Sequence, residues 1–346
     1  MLGVFFAFLM AASFGFNNAS ARRGALSGTA FQGLCTSMVA GTVLFGACLL
    51  IFGDVRQLLL FDGWSILWLC GAGFAHFVWG RYWNIRSLAA VGSNLAGPIQ
   101  QFQLLLGLTL AIIFLGESLT PLKVVGIILV VAAPTYILQR RGAARKREKA
   151  ALAAAAAVGA DIAAPAATPE KPKFSPRLVE GYTCALLAGV GFGSSSVLAA
   201  AGLKATGASF AGGFISYICA TVIVGLMLFS PTKLAEVRAM QGESRKWFMI
   251  SGLAVSVSQT FRYLALTFAP VTVVQPIHSL SLMFRMIFGY FMNREHEAFD
   301  RYVIVGLVIS LTGAVALSVS DDTVIQHLPL PEWLVELSKW KWPAPG

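Results

Sequence analysis

Ten apolar runs of 17 residues or more occupy most of this chain, near 2–20, 29–52, 64–85, 88–115, 121–139, 180–200, 208–229, 246–268, 270–293 and 302–320. A helix rising about 1.5 Å per residue needs about 20 such residues to cross the hydrocarbon of a bilayer. Lipid offers the backbone no hydrogen-bond partner, so a spanning run must satisfy its own amides, and runs of this length do so as helices. The expected fold is therefore an all-α membrane protein with ten transmembrane helices. Composition agrees: 57% of the 346 residues are hydrophobic and 12% charged, against about a quarter charged in soluble domains. A soluble domain is excluded, and so is disorder over most of the length.

The net charge of +10 is a poor argument for nucleic acid as a partner. Nine Lys/Arg between Arg140 and Arg177, against Glu148, Asp161 and Glu170, concentrate +6 of it in one connector. In a membrane protein such a cluster is first an orientation signal. The five cysteines lie in apolar runs without a CxxC pair and read as small core hydrophobes. No basic stretch precedes the first run, so it is expected to be a retained span, not a cleaved signal.

An internal repeat divides the runs into two sets of five. Phe14-Gly15 recurs as Phe192-Gly193, Gly24 as Gly202, Pro98-Ile99 as Pro276-Ile277, and Glu117 as Glu295, each pair 178 positions apart. The small-xxx-small pattern Ala11/Gly15 maps onto Gly189/Gly193, a face that lets helix backbones come close. The expected organisation is a first repeat over 1–139 and a basic, Ala/Pro-rich linker over 140–179. A second repeat follows over 180–320, then an interfacial tail over 321–346 carrying Trp333, Trp340 and Trp342. Because five is odd, the second half enters the bilayer upside down. Inverted repeats are a transporter architecture, with the substrate near the midplane between them. This geometry favours a carrier over an enzyme.

The chain resembles the drug/metabolite transporter superfamily, specifically proteins with two EamA repeats. The resemblance is carried by Gly97-Pro98, Gly116-Glu117-Ser118-Leu119-Thr120 and Gly126, and by Pro276, Asn293-Arg294-Glu295 and Gly306 in the second half. It covers 2–139 and 180–320 and implies ten helices and export or exchange of amino acids, other metabolites or drugs. The loops after odd-numbered spans hold 19 Lys/Arg, whereas those after even-numbered spans hold only Arg56, Lys123 and Lys204. The positive-inside rule then makes the central linker cytoplasmic and both termini external, although relatives are more often drawn with termini inside.

Polar side chains at membrane depth are costly and usually face a cavity or a partner helix. His278, Ser281 and Arg285 share one face of the ninth span, and Gln100 and Gln103 share the matching face of the fourth. Pro98 and Pro276 precede both stripes by two residues and are expected to break their helices. The stripes line a midplane pocket, or else hold helices together. Gln259, Arg262 and Tyr263 in the eighth span and His76, Trp79 and Tyr82 in the third are further candidates for contact with substrate. Asn17 and Asn18 lie after Gly15, and Ser195 after Gly193. Arg262 and Arg285 are the deepest cations, free either to bind a substrate carboxylate or to snorkel; Arg81 and Arg86 read as snorkelling near a helix end. Glu117 and Glu295 read as turn-fixing groups.

The leading expectation is a multi-pass cytoplasmic (inner) membrane exporter of a small zwitterionic or anionic metabolite, working by alternating access as a monomer or a homodimer. Without a mid-span carboxylate, uniport or coupling through His76 and His278 is preferred to carboxylate-driven cation export. Partners are the small solute and the lipid bilayer; no cofactor, metal site or catalytic residue is expected. The alternatives are a multidrug efflux carrier leaning on Trp79 and Tyr82, a non-transporting adaptor using the basic linker, and a lipid-acting enzyme for which neither nucleophile nor metal is found.

Overall fold

The computed structural model describes residues 2–116, 120–121, 123–129, scattered positions from 131 to 151, 177–293, 301–318 and 340. The turns at Glu117 and Glu295, most of the linker and nearly all of the tail lie outside the described residues. Among the described residues the secondary structure is helical throughout. In chain order the helices are α1 (Leu2–Gly24), α2 (Ala30–Phe52), α3 (Gly63–Gly73), α4 (Arg81–Val91), α5 (Ser93–Gln100) and α6 (Phe102–Leu115). After the linker come α7 (Leu178–Leu203), α8 (Ser209–Met227), the short α9 (Pro231–Arg238), α10 (Gly242–Phe268), α11 (Val271–His278), α12 (Ser281–Asn293) and α13 (Arg301–Ser318). A π-helical stretch, Phe74–Gly80, joins α3 to α4 without a break. Six described spans are long and apolar enough to cross a membrane: α1, α2, α5 with α6, α7, α8, and α11 with α12.

Burial is inside-out relative to a soluble protein. Leu50, Phe52 and Phe291 are 72%, 71% and 78% exposed, whereas Asn17, Asn18, Ser37, Asn84 and Gln259 are fully buried. Such a surface is stable only against acyl chains, and the polar groups must find one another inside.

Local chemistry explains where the helices start and stop. Thr29 and Gln32 close a capping box at the head of α2, each side chain meeting the other's backbone N–H. Asp62 accepts from the Ser65 amide to begin α3. Gly116, with φ of 67°, ends α6 in the left-handed region that glycine tolerates. The breaks inside the two proline-containing spans fall at corresponding places. In the first, Gln101 separates α5 from α6; in the second, Ser279 and Leu280 separate α11 from α12 through tight bonds from the Ser279 and Leu280 amides to the carbonyls of Pro276 and Ile277.

Helix ends gather at two faces. At the linker face, Arg22 at the end of α1 donates to the Leu88 carbonyl, Ser87 donates to the Gly181 carbonyl, and the Arg177 amide donates to the Ala90 carbonyl. At the far face, Ser209 meets Thr267 and Lys123 donates to Thr272. So α1 runs toward the linker face and α7 away from it.

The first helix of each half packs on the other half. α1 lies along α10, α11 and α12, while α7 lies along α3, the π stretch, α4, α5 and α6. Gly15 and Gly193 set the two close approaches. A Cβ on Gly15 would lie 2.7 Å from the Arg285 amide nitrogen, and one on Gly193 would lie 2.7 Å from the Gln103 carbonyl oxygen. Glycine is needed at both because backbone, not a movable side chain, fills the space.

Candidate functional site

Between the halves lies a ladder of buried polar groups, which can be followed from the linker face outward. Its lower rung is built on Arg81, which the sequence alone places at a snorkelling edge. The structure corrects that. Arg81 is 2% exposed, because the uninterrupted run from α3 through the π stretch carries it well inside the bundle. Its Nε donates to Ser37 Oγ at 2.9 Å, one terminal nitrogen donates to Asn17 Oδ1 at 2.6 Å, and the other donates to Ser251 Oγ at 2.8 Å. Ser251 also donates to Asn17 Oδ1. Four helices, α1, α2, α4 and α10, are thereby tied to one guanidinium.

Beside it runs a second chain. Asn84 donates to Asn18 Oδ1 (2.9 Å), Gln100 donates to Asn84 Oδ1 (2.6 Å), and Arg285 donates to Gln100 Oε1 (2.9 Å) and to the Ser93 carbonyl. The two members of the sequence stripes that meet are thus Gln100 and Arg285, through a direct hydrogen bond between the halves.

The upper rung centres on Arg262, 3% exposed. It donates to Gln259 Oε1 at 2.8 Å, to Ser195 Oγ at 3.1 Å and to His76 Nδ1 at 3.1 Å. Ser195 in turn donates to the Phe192 carbonyl. His76 sits in the π stretch, whose following residue, Arg81, sends its amide back to the His76 carbonyl; such π turns recur at functional sites because they re-aim side chains. Phe14 of α1 lies under this rung. The His278 ring meets it edge-on at 4.6 Å, and Phe192 meets it at 5.6 Å.

Several buried atoms here have no protein partner: His76 Nε2, His278 Nε2, Gln259 Nε2, Asn17 Nδ2 and Gln103 Oε1. Buried polar atoms are nearly always paired, so the orphans on His76 and Gln259, both bonded to Arg262, mark a place where a solute or water would complete them.

The other sequence candidates sit elsewhere. Trp79 is 37% exposed, and its indole donates to the Leu187 carbonyl. Tyr82 packs partly buried at the edge of the largest apolar core. Tyr263 donates to Ser216 within that core. Ser281 is buried at the start of α12. Gln103 contributes its carbonyl, which accepts from Gln275 Nε2. Of these, Tyr263 alone touches the Arg262 rung, with the guanidinium 5.8 Å from its ring centroid; Trp79, Tyr82, Ser281 and Gln103 are not brought to it.

The repeat register holds a signal for two residues of the ladder that the polar stripes leave out. Arg81 and Asn84 lie 178 positions before Gln259 and Arg262, so each half carries one arginine and one amide a helical turn apart, in swapped order. Ser37 and Ser251 have no such signal.

Above the Arg262 rung comes an apolar layer of Ala111, Val197, Val271 and Leu266. Beyond it, at the far face, a cleft of about 390 Å³ opens between Leu115, Ala200, Lys204, Thr267 and Pro270. Among the described residues no three His, Cys, Asp or Glu side chains gather as metal ligands.

The family described as the EamA-like transporter family matches residues 1–139 and 179–319. No curated protein matches the chain. One solved structure, titled only as the crystal structure of a protein, is 15% identical. It superposes with a TM-score of 0.62 over 92% of this chain and 98% of its own; at that identity the likeness speaks to fold alone.

Proposed function

The chain belongs to the EamA-like transporter family and is a multi-pass membrane protein, and from that premise we propose that it is a secondary carrier for a small zwitterionic or anionic metabolite. Its two halves, of five spans each and oppositely directed, rock about the buried ladder to expose the solute alternately at either face. The antiparallel course of α1 and α7 and their reciprocal packing support the inverted arrangement. The carrier resides in the cytoplasmic membrane with the basic linker inside, and metabolite export is its physiological direction.

One observation carries this reading: the orphaned donors around Arg262 and His76 lie at the junction of the halves. They are sealed toward the linker face by the Arg81 network and toward the far face by a thin apolar layer beneath an open cleft. A solute bound there would be occluded, and parting either seal would release it to one side.

Cysteine accessibility in membranes tests the proposal. Cysteines replacing Ala200 and Thr267 should label with an aqueous thiol reagent from the face opposite the linker. Cysteines replacing Ser37 and Ser251 should label only from the linker face, and conditions that favour one pair should protect the other. Simultaneous labelling of both pairs, or protection of all four under every condition, contradicts alternating access.

A further inference from the structure

Two of the ladder's three deeply buried arginines, Arg81 and Arg262, have no carboxylate partner among the described residues: their hydrogen bonds go to Ser37, Asn17 and Ser251, and to Gln259, Ser195 and His76. They differ in what their partners can offer. Arg81 meets three oxygens, which are good acceptors for a guanidinium. Arg262 gives part of its charge to an imidazole nitrogen. The Arg262 N–H, fixed by the guanidinium plane, points at His76 Nδ1, and arginine only donates, which assigns the lone pair to Nδ1. The same nitrogen lies 3.1 Å from Ser195 Oγ, whose hydroxyl is directed to the Phe192 carbonyl, so in this tautomer Ser195 brings Nδ1 no proton. His76 therefore carries its proton on Nε2, where the buried N–H meets no acceptor. Gln259 Nε2 adds another unmet N–H from the next helical turn.

A cation without an anion, flanked by idle N–H donors and one turn below an open cleft, matches an oxyanion. We propose that Arg262, with His76 and Gln259, holds the carboxylate of the transported solute, and that each anion enters together with one proton taken up by His76. This rests on the carrier reading and names its substrate class and coupling.

The proton follows from the geometry. A carboxylate oxygen seated on Arg262 takes the N–H now given to His76 Nδ1. It then faces that nitrogen's lone pair, acceptor against acceptor. A proton on Nδ1 turns the repulsion into a hydrogen bond, while Nε2 keeps its own. One carboxylate and one proton bring no net charge into a site that already holds Arg262. The charged and titratable groups facing His76 are Arg262 from α10, His278 from α11 and Arg81 from α4; these are cations or potential cations, so the imidazolium needs the incoming anion. Arg285 is not part of the clamp, since its guanidinium serves Gln100 and the Ser93 carbonyl.

The experiment uses the full chain in nanodiscs with ¹⁵N-labelled histidine and formate, a carboxylate too small to be rejected by shape. The His76 signals are identified by their loss in His76→Asn. Formate should shift them saturably and bring a proton to Nδ1, with apparent affinity rising toward about tenfold per unit fall in pH between about 8 and 6. Arg262→Gln should abolish the response. Arg262→Lys, which keeps the buried charge and hence the fold but loses the forked donors, should weaken it by about tenfold or more. A His76 spectrum indifferent to formate, an undiminished response in both Arg262 variants, or an affinity constant with pH would each overturn the proposal. Loss of this response would leave the carrier reading intact, because that reading stands on two-sided accessibility. Normal formate binding without alternating access would instead overturn the carrier reading and, with it, the role of this carboxylate as cargo.

Discussion

Arg81 and Arg262 occupy related turns of the third helix in each half, yet they do different work. The repeat register sets Arg81 against Gln259 and Asn84 against Arg262, so the cation moves by one helical turn between halves. On the linker side that turn lets Arg81 reach Ser37, Asn17 and Ser251 on three other helices. On the far side it lets Arg262 reach a serine, an amide and a histidine nitrogen, with donors nearby left over. A duplicated sequence thus gives one guanidinium bonded to three oxygens on three other helices and one bonded partly to an imidazole nitrogen beside unmet donors. The lesson is that a buried charge is assigned by the quality of its acceptors, not by depth.

The largest effect that would break this contrast is on Arg81. Arg81→Ala removes three charge-assisted hydrogen bonds and leaves a cavity among α1, α2, α4 and α10. It should cost about 2–4 kcal/mol of stability, read as a lowered thermal midpoint in detergent and poor recovery of monodisperse protein. Arg262→Ala, which gives up a serine, an amide and an imidazole acceptor, should cost less than Arg81→Ala on the same measurement. Equal losses from the two variants would erase the distinction between lock and site.

A middle-sized effect compares the glycines. Gly15→Ala and Gly193→Ala each place a methyl group against backbone of a neighbouring helix, so each should lower stability by about 1–3 kcal/mol. Similar losses in both halves would show that the helix crossings kept their symmetry while the arginines diverged. A neutral Gly193→Ala would show that the halves part by a few tenths of an ångström at no cost.

The smallest effect concerns a strap outside the membrane. Helix α9 holds the start of α2 through Glu236, whose carboxylate accepts from Thr29 (2.6 Å) and Lys233 (2.8 Å). Partial burial pushes the Glu236 carboxyl up, but the bonds from Lys233 and Thr29 outweigh it and hold the group below its ordinary 4.5. A depressed folded value stabilises above the ordinary one and is lost as pH falls through the folded one. Thermal midpoints should therefore drop slightly below pH 4.5 in the wild type, and this extra drop should vanish in Glu236→Gln. The whole contribution should lie under about 1 kcal/mol, because the pair is partly solvated.

Much of the fold is legible because a membrane imposes length and apolarity on every span. The duplication, the glycine crossings at 15 and 193 and the matched interruptions after Pro98 and Pro276 all leave periodic or positional marks. Arg81 is misplaced by sequence because the apolar run stops near 85, whereas the helix continues through the π turn and on to Val91, which leaves that arginine far from a helix end. Trp79 and Tyr82 look like a stacking surface because they neighbour His76 in sequence. In the bundle they turn to the Leu187 carbonyl and to the apolar core.

Hydropathy and the 178-residue register alone determined that this chain lives in lipid and was built twice, since both follow from the pattern along the chain. Which arginine meets only oxygens and which shares its charge with an imidazole was decided only by the packed bundle. Each acceptor comes from a different helix, and only three-dimensional distance settles which of them a buried guanidinium can reach.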